Sequence, residues 1–159
     1  MSLTEGEVYL GAKRLLQNHG WTVLAGQPPS GLNHLPAVEI KWEGREGIGS
    51  EGALRPDLIA ADAPRLLLVE CKPRHSNADA QKLRSVLGDP ERIDALLSEL
   101  AQRRLFDRAG LPRDPERWEG GIFGALAHSG PVRRQDDLWI ISVRGRDGGG
   151  ELLKPTSLP

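Results

Sequence analysis

Apolar residues first recur at helical spacing. Across residues 2–19, Val8, Ala12, Leu15 and Leu16 share one stripe and Gly20 supplies a stop, which predicts a helix. The pattern then shortens. Residues 21–24 predict a strand closed by Gly26-Gln27-Pro28-Pro29, and residues 37–42 predict a second strand. Glycines crowd residues 44–52 with few apolar anchors, as in a mobile loop. Two apolar runs follow, 55–61 and 65–72, separated by Asp62-Ala63-Pro64, and they predict a hairpin. Residues 79–87 predict a short helix. Asp89-Pro90 reads as an N-cap followed by proline in the first turn of a long helix. Its stripe runs through Ile93, Leu96, Leu97, Leu100 and Phe106 to a stop at Gly110. Residues 121–127 and 138–143 predict two more strands, and 145–150 with 154–159 predict turn and tail. Helix, strands, helices, strands in that order imply an α/β fold, a mixed sheet with helices on its faces.

Composition narrows the class. The chain has 159 residues, with 21 Lys plus Arg against 22 Asp plus Glu, a formal charge of −1. That length suits one domain, expected over residues 1–150 with a flexible tail at 151–159. The lone cysteine, Cys71, excludes a disulfide scaffold and a four-thiolate zinc site. The longest aliphatic run, Leu66-Leu67-Leu68-Val69, is far below the roughly 20 residues that span a bilayer. No apolar signal stretch opens the chain, so a cytoplasmic protein without a membrane partner is expected. The near-neutral balance excludes a strongly basic nucleic-acid coat but not an enzyme with a local basic groove.

Candidate chemistry concentrates in Arg55-Pro56-Asp57-Leu58-Ile59-Ala60 and Leu67-Leu68-Val69-Glu70-Cys71-Lys72-Pro73. Side chains alternate along a strand, so Glu70 and Lys72 share one face and Cys71 takes the other. A four-residue loop at 62–65 pairs Ala61 with Leu66 and sets Asp57 opposite Glu70. A two-residue loop sets Asp57 beside Leu68, on the same face and diagonal to Glu70. Either register gathers two carboxylates and an ammonium at one end of an apolar hairpin. Charges buried there must be paired or hold a metal. Two carboxylates suit a hard cation, Mg²⁺ or Mn²⁺, with the Cys71 carbonyl as a further ligand. Such an ion lowers the pKa of a bound water and offsets charge on phosphorus. Lys72 would orient or deprotonate that water, or stabilise the pentacovalent phosphate. The plainer alternative is an edge-strand hairpin whose Glu70 and Lys72 form a solvated pair.

Pro56-Asp57 followed by Glu70-Cys71-Lys72 at the end of an apolar strand resembles the PD-(D/E)xK nuclease superfamily. The resemblance covers roughly residues 2–87, from the acidic first helix to the helix after the lysine. It implies a restriction-endonuclease-like α/β/α core, to which the 90–109 helix is an insert and the later strands a C-terminal hairpin. It also implies a Mg²⁺-dependent endonuclease acting on nucleic acid, with DNA the expected substrate. Asp57 and Glu70 become metal ligands and Lys72 the catalytic lysine. Members often add a glutamate from the first helix. Glu5 lies within the apolar stripe and Glu7 outside it, which favours Glu5. Ser2-Leu3-Thr4-Glu5 and Thr4-Glu5-Gly6-Glu7 both fit a capping box, so each glutamate also has a purely structural reading. Both sit earlier than the resolvase-like pattern places that glutamate.

Other signals are weaker. Gln81 resembles a glutamine of exonuclease-like members, although an exposed helix glutamine explains it equally. His75 beside Arg74 reads as a loop histidine. The run at 145–150 lacks the Gly-Lys-Ser/Thr ending of a P-loop, and the four histidines lack zinc spacing. Arg103-Arg104 with Arg108, and Arg133-Arg134, are the local candidates for phosphate contacts. A homodimer would supply more positive charge. The rival functions are a catalytically silent nuclease-like binding or assembly module and an unrelated α/β enzyme or interaction domain with a chance match.

Overall fold

The computed structural model describes residues 3–28, 35–38, 55–62, 64–112, 114–118 and 121–158. Helix α1 spans Glu5–Asn18. Thr4 caps it, accepting the Glu7 N–H while the Glu7 carboxylate accepts the Thr4 N–H. Of the two capping boxes open to the sequence, Thr4–Glu7 forms. At the other end Gly20 takes positive φ, which lets the Trp21 N–H reach back to the Leu16 carbonyl.

Strands β1 (Thr22–Gly26), β2 (Leu58–Asp62) and β3 (Arg65–Cys71) form an antiparallel meander. Helix α2 (Asn77–Leu87) and helix α3 (Pro90–Gln102) follow, then the single turn α4 (Leu105–Arg108). Strands β4 (Ile122–His128) and β5 (Leu138–Val143) continue the sheet parallel to β3, and β6 (Gly150–Leu153) closes it antiparallel to β5. The sheet order is β1-β2-β3-β4-β5-β6. The fold is therefore α/β with a six-stranded mixed sheet.

Both sheet faces are buried, which is why β3 and β4 read as continuous apolar runs. Leu67, Val69, Cys71, Ala125 and Ala127 pack beneath α1 with Val8, Ala12 and Leu16. Leu66, Leu68 and Leu126 pack against Leu83, Leu96, Leu100 and Phe106 from α2 to α4. The β2–β3 register pairs Ala61 with Leu66 and extends to Asp62 opposite Arg65. Of the two registers considered, this one sets Asp57 across from Glu70.

Four expectations change. The later strands at 121–127 and 138–143 do not form a C-terminal hairpin: β4 and β5 pair in parallel, and β5 pairs antiparallel only with β6. The long helix breaks at Arg104, which adopts left-handed φ 58° between α3 and α4. Arg103 and Arg104 stand three and four residues after Leu100, so a straight helix would drive two arginines into the core. The break instead delivers Leu105 and Phe106, and Phe106 stacks on Trp118 at 5.3 Å. Trp118, beside Gly120 and Gly121 in a stretch that carries no predicted element, is fully buried with its Nε1–H donated to the Pro112 carbonyl. Within the expected tail at 151–159, the described residues 151–158 are held rather than trailing, since β6 pairs with β5 and Thr156 N–H bonds the Gln135 carbonyl. Residues 39–42 of the strand expected at 37–42, and the loop at 44–52, lie outside the described residues.

Candidate active site

β3 is an interior strand between β2 and β4, not an edge. Its last residues therefore meet the site from inside the sheet, and Glu70 is only 5% exposed. Asp57 stands just before β2, where Gln27 N–H holds its carbonyl at 2.8 Å. The Asp57 Oδ2 accepts the Cys71 N–H at 2.7 Å, and its carboxyl hydrogen-bonds that of Glu70. A solvated Glu70–Lys72 pair on an edge strand does not describe this arrangement.

Burial raises both carboxyls above the ordinary range, most of all Glu70. For Glu70 the adjacent Asp57 charge and the hydrogen bond to Asp57 push in the same direction. For Asp57 the Cys71 N–H and Glu70 partly oppose burial. Of the two, Glu70 is the group that burial and the neighbouring Asp57 favour in its protonated form. Cys71 is wholly buried on the α1 face and its thiol is raised well above its ordinary value by burial, so it is a core residue and not a nucleophile.

Lys72 departs from expectation. It lies one residue beyond β3 and ion-pairs with Glu5 Oε1 at 3.1 Å, on the α1 side. Alternation placed it on Glu70's face, but the strand ends at Cys71 and releases its side chain. Hydrogen bonding to Glu5 raises the Lys72 pKa, so it is a stable ammonium. Glu7, by contrast, is occupied with the cap and lies 3.9 Å from Arg146. The glutamate that joins the site is Glu5.

The cation that does face Glu70 comes from α2. Lys82 Nζ lies 3.7 Å from Glu70 Oε1 and 3.9 Å from Asp79 Oδ1. Sequence reasoning missed Asp79, Lys82 and Tyr9. A signal existed for Asp79, because it occupies the buried stripe of α2 with Ala80, Leu83 and Val86. An acid on an apolar stripe asks for a reason. Tyr9 is the single tyrosine, buried on α1, and burial with nearby Cys71 and Asp57 pushes its phenol up to about 12. Gln81 is exposed.

No protein-family model, curated protein or solved structure matches this chain. The site therefore stands on its own geometry. Among the described buried polar atoms without a hydrogen-bond partner are Tyr9 Oη, Gln27 Oε1, Glu70 Oε1 and Asp79 Oδ2, on residues that neighbour the carboxyl pair. Interior polar atoms are nearly always satisfied, so each of these calls for a physical reason. Among the described residues no three His, Cys, Asp or Glu side chains converge as a metal cage. The available donors are the paired carboxylates with the Cys71 carbonyl, an all-oxygen set that fits a hard cation keeping several waters.

At the neighbouring strand ends, His75 and His128 meet edge to face at 5.7 Å. Burial lowers the His128 pKa. His75 is tied to Asn77 Oδ1 at 2.9 Å, as a loop histidine would be. The arginines put forward for phosphate contacts are partly engaged elsewhere: Arg103 with the Ala37 carbonyl and Arg134 with the Lys154 carbonyl.

Proposed function

We propose that this chain is a divalent-metal-dependent nuclease of the PD-(D/E)xK kind, with a restriction-endonuclease-like core. The observation that carries the reading is the Asp57–Glu70 carboxyl pair, with Glu70 buried and its Oε1 held by no hydrogen bond, only by the 3.7 Å approach of Lys82. The fold adds support. An acidic helix precedes the hairpin, a helix follows it, and helices cover both sheet faces, as the resemblance implies.

Asp57 and Glu70 would hold Mg²⁺ or Mn²⁺, with the Cys71 carbonyl as a third protein oxygen. When bound, such an ion offsets charge developing on phosphorus and makes a bound water more acidic. The residues around it have distinct tasks. The Cys71 N–H orients the Asp57 carboxylate. Lys72, kept protonated by Glu5, acts as a cation that orients the attacking water or neutralises the pentacovalent phosphate; it is not the base. Lys82 balances the Glu70 and Asp79 charges when the proton leaves.

The test compares wild type with Lys72→Ala on duplex, single-stranded and branched DNA in Mg²⁺ or Mn²⁺. Wild type should cut at least one of them. Lys72→Ala should lose about 100-fold or more in rate with its melting temperature unchanged. Wild-type protein that cuts none of them above the variant ends the enzyme reading and leaves a binding or assembly module.

A further inference from the structure

An open cavity of about 810 Å³ lies beside the last residues of β5, lined among others by Leu10, Arg14, Arg144, Arg146 and Asp147. It falls at the same end of the sheet as the candidate site, because β3, β4 and β5 run parallel and their carboxyl ends share one side. Helix α1 joins the two places. Glu5 meets Lys72, Glu7 lies near Arg146, and Arg14 Nη1 donates to the Arg146 carbonyl at 2.8 Å. Gly11 makes the junction close, since a Cβ there would collide with the Gly145 carbonyl and the Val143 side chain.

The three guanidiniums are exposed and lightly used. Arg144 has no ion pair or side-chain hydrogen bond among the described residues, and Arg146 has only the long 3.9 Å approach of Glu7. Asp147, the acid in the lining, accepts the Gly149 N–H and so closes its own turn. Positive charge is therefore held in a concave surface beside α1, and Lys72 stands at the amino end of the same helix, beyond Glu7 and Glu5. Nine residues of helix separate Glu5 from Arg14, a rise of about 13 Å. At roughly 3.4 Å per nucleotide along one strand, that is about four nucleotides.

We propose that Arg14, Arg144 and Arg146 bind the phosphate backbone of a nucleic-acid strand and lead it into the Asp57–Glu70–Lys72 site. The choice of ligand rests on the nuclease reading. Contact of these guanidiniums with phosphate oxygens carries no sequence information, so binding through them is sequence-independent.

The test is fluorescence anisotropy with labelled oligonucleotides in EDTA, at several salt concentrations. The combined Arg14→Gln, Arg144→Gln, Arg146→Gln variant should bind about tenfold or more weakly at low salt. Its log–log salt slope should fall by about two to three. The corresponding lysine variant should keep most of the binding, and Arg133→Gln with Arg134→Gln should change little. Should the triple variant misfold, Arg144→Glu alone serves, since that side chain has no partner to lose; it should weaken binding severalfold. Unchanged affinity and slope, or an equal loss in the Arg133/Arg134 variant, overturns the proposal. Hydrolysis of bis-para-nitrophenyl phosphate in Mn²⁺ separates this from the enzyme reading. It should need Asp57 but not the three arginines. Arginine-dependent binding without hydrolysis by wild type sinks the nuclease and leaves this surface, whereas hydrolysis with arginine-independent binding does the reverse.

Discussion

Glu5 and Glu7 are two residues apart on one helix and do different work. Glu7 closes the capping box with Thr4, and Glu5 holds Lys72. Glu7→Gln should keep full activity and nearly full stability in urea unfolding, because glutamine at this position also closes a capping box. Glu5→Gln should leave stability nearly unchanged and slow cleavage, because it frees the Lys72 ammonium from its position. Equal activities in the two variants would remove Glu5 from the site. The carboxylate pair makes a second prediction at this scale. Glu70 is pushed up to about 9 from an ordinary value of 4.5, by burial first and Asp57 second. An acid raised on folding binds its proton more tightly when folded. Its stabilising contribution is thus complete below about pH 4.5 and drains away as pH rises through about 9. In EDTA the melting temperature should fall between pH 6 and pH 9, and Glu70→Gln, which mimics the protonated form, should flatten that fall. Mg²⁺ should reverse it, and calorimetry in two buffers near pH 7 should register release of about one proton on binding.

Among the elements, the interruption between α3 and α4 is the clearest case of tertiary contact overriding a local pattern. Apolar periodicity and a terminal glycine favoured one helix to Gly110, yet the price of continuing would be two buried arginines. Arg104 instead sits in the left-handed region, where a non-glycine residue is strained. Arg104→Gly should stabilise the protein by about 0.5–1 kcal/mol in denaturant unfolding, since the side chain makes no capping hydrogen bond to lose. A destabilised variant would show that the Arg104 side chain contributes more than its backbone costs. The β2–β3 hairpin shows the opposite case. Alternation and the Pro64 turn confined Asp57 to Glu70's face in either register, and pairing of Ala61 with Leu66 chose between them.

For the whole molecule, the last strand has a larger role than a tail. β6 covers β5, whose Ile141 and Val143 belong to the core beneath α1. Deleting residues 150–159 should therefore expose a β5 edge, lower the melting temperature by several degrees and promote association, instead of trimming a disposable end. A truncated chain as stable and monomeric as the full one would contradict this. The strand was illegible beforehand because Gly150-Glu151-Leu152-Leu153 is short and follows a glycine run, so only pairing with β5 gives it form. By itself the sequence determined the α/β class, the hairpin, and that Asp57 and Glu70 fall on one face of it, since periodicities of two and 3.6 are local properties. Tertiary structure alone decided that Lys72 turns to Glu5 while Lys82 approaches Glu70, that Asp79 and Tyr9 line the site, and that Arg14 meets Arg144 and Arg146 beside it. Those residues are distant in the chain, and what brings them together is the packing of α1 and α2 across the carboxyl ends of parallel strands.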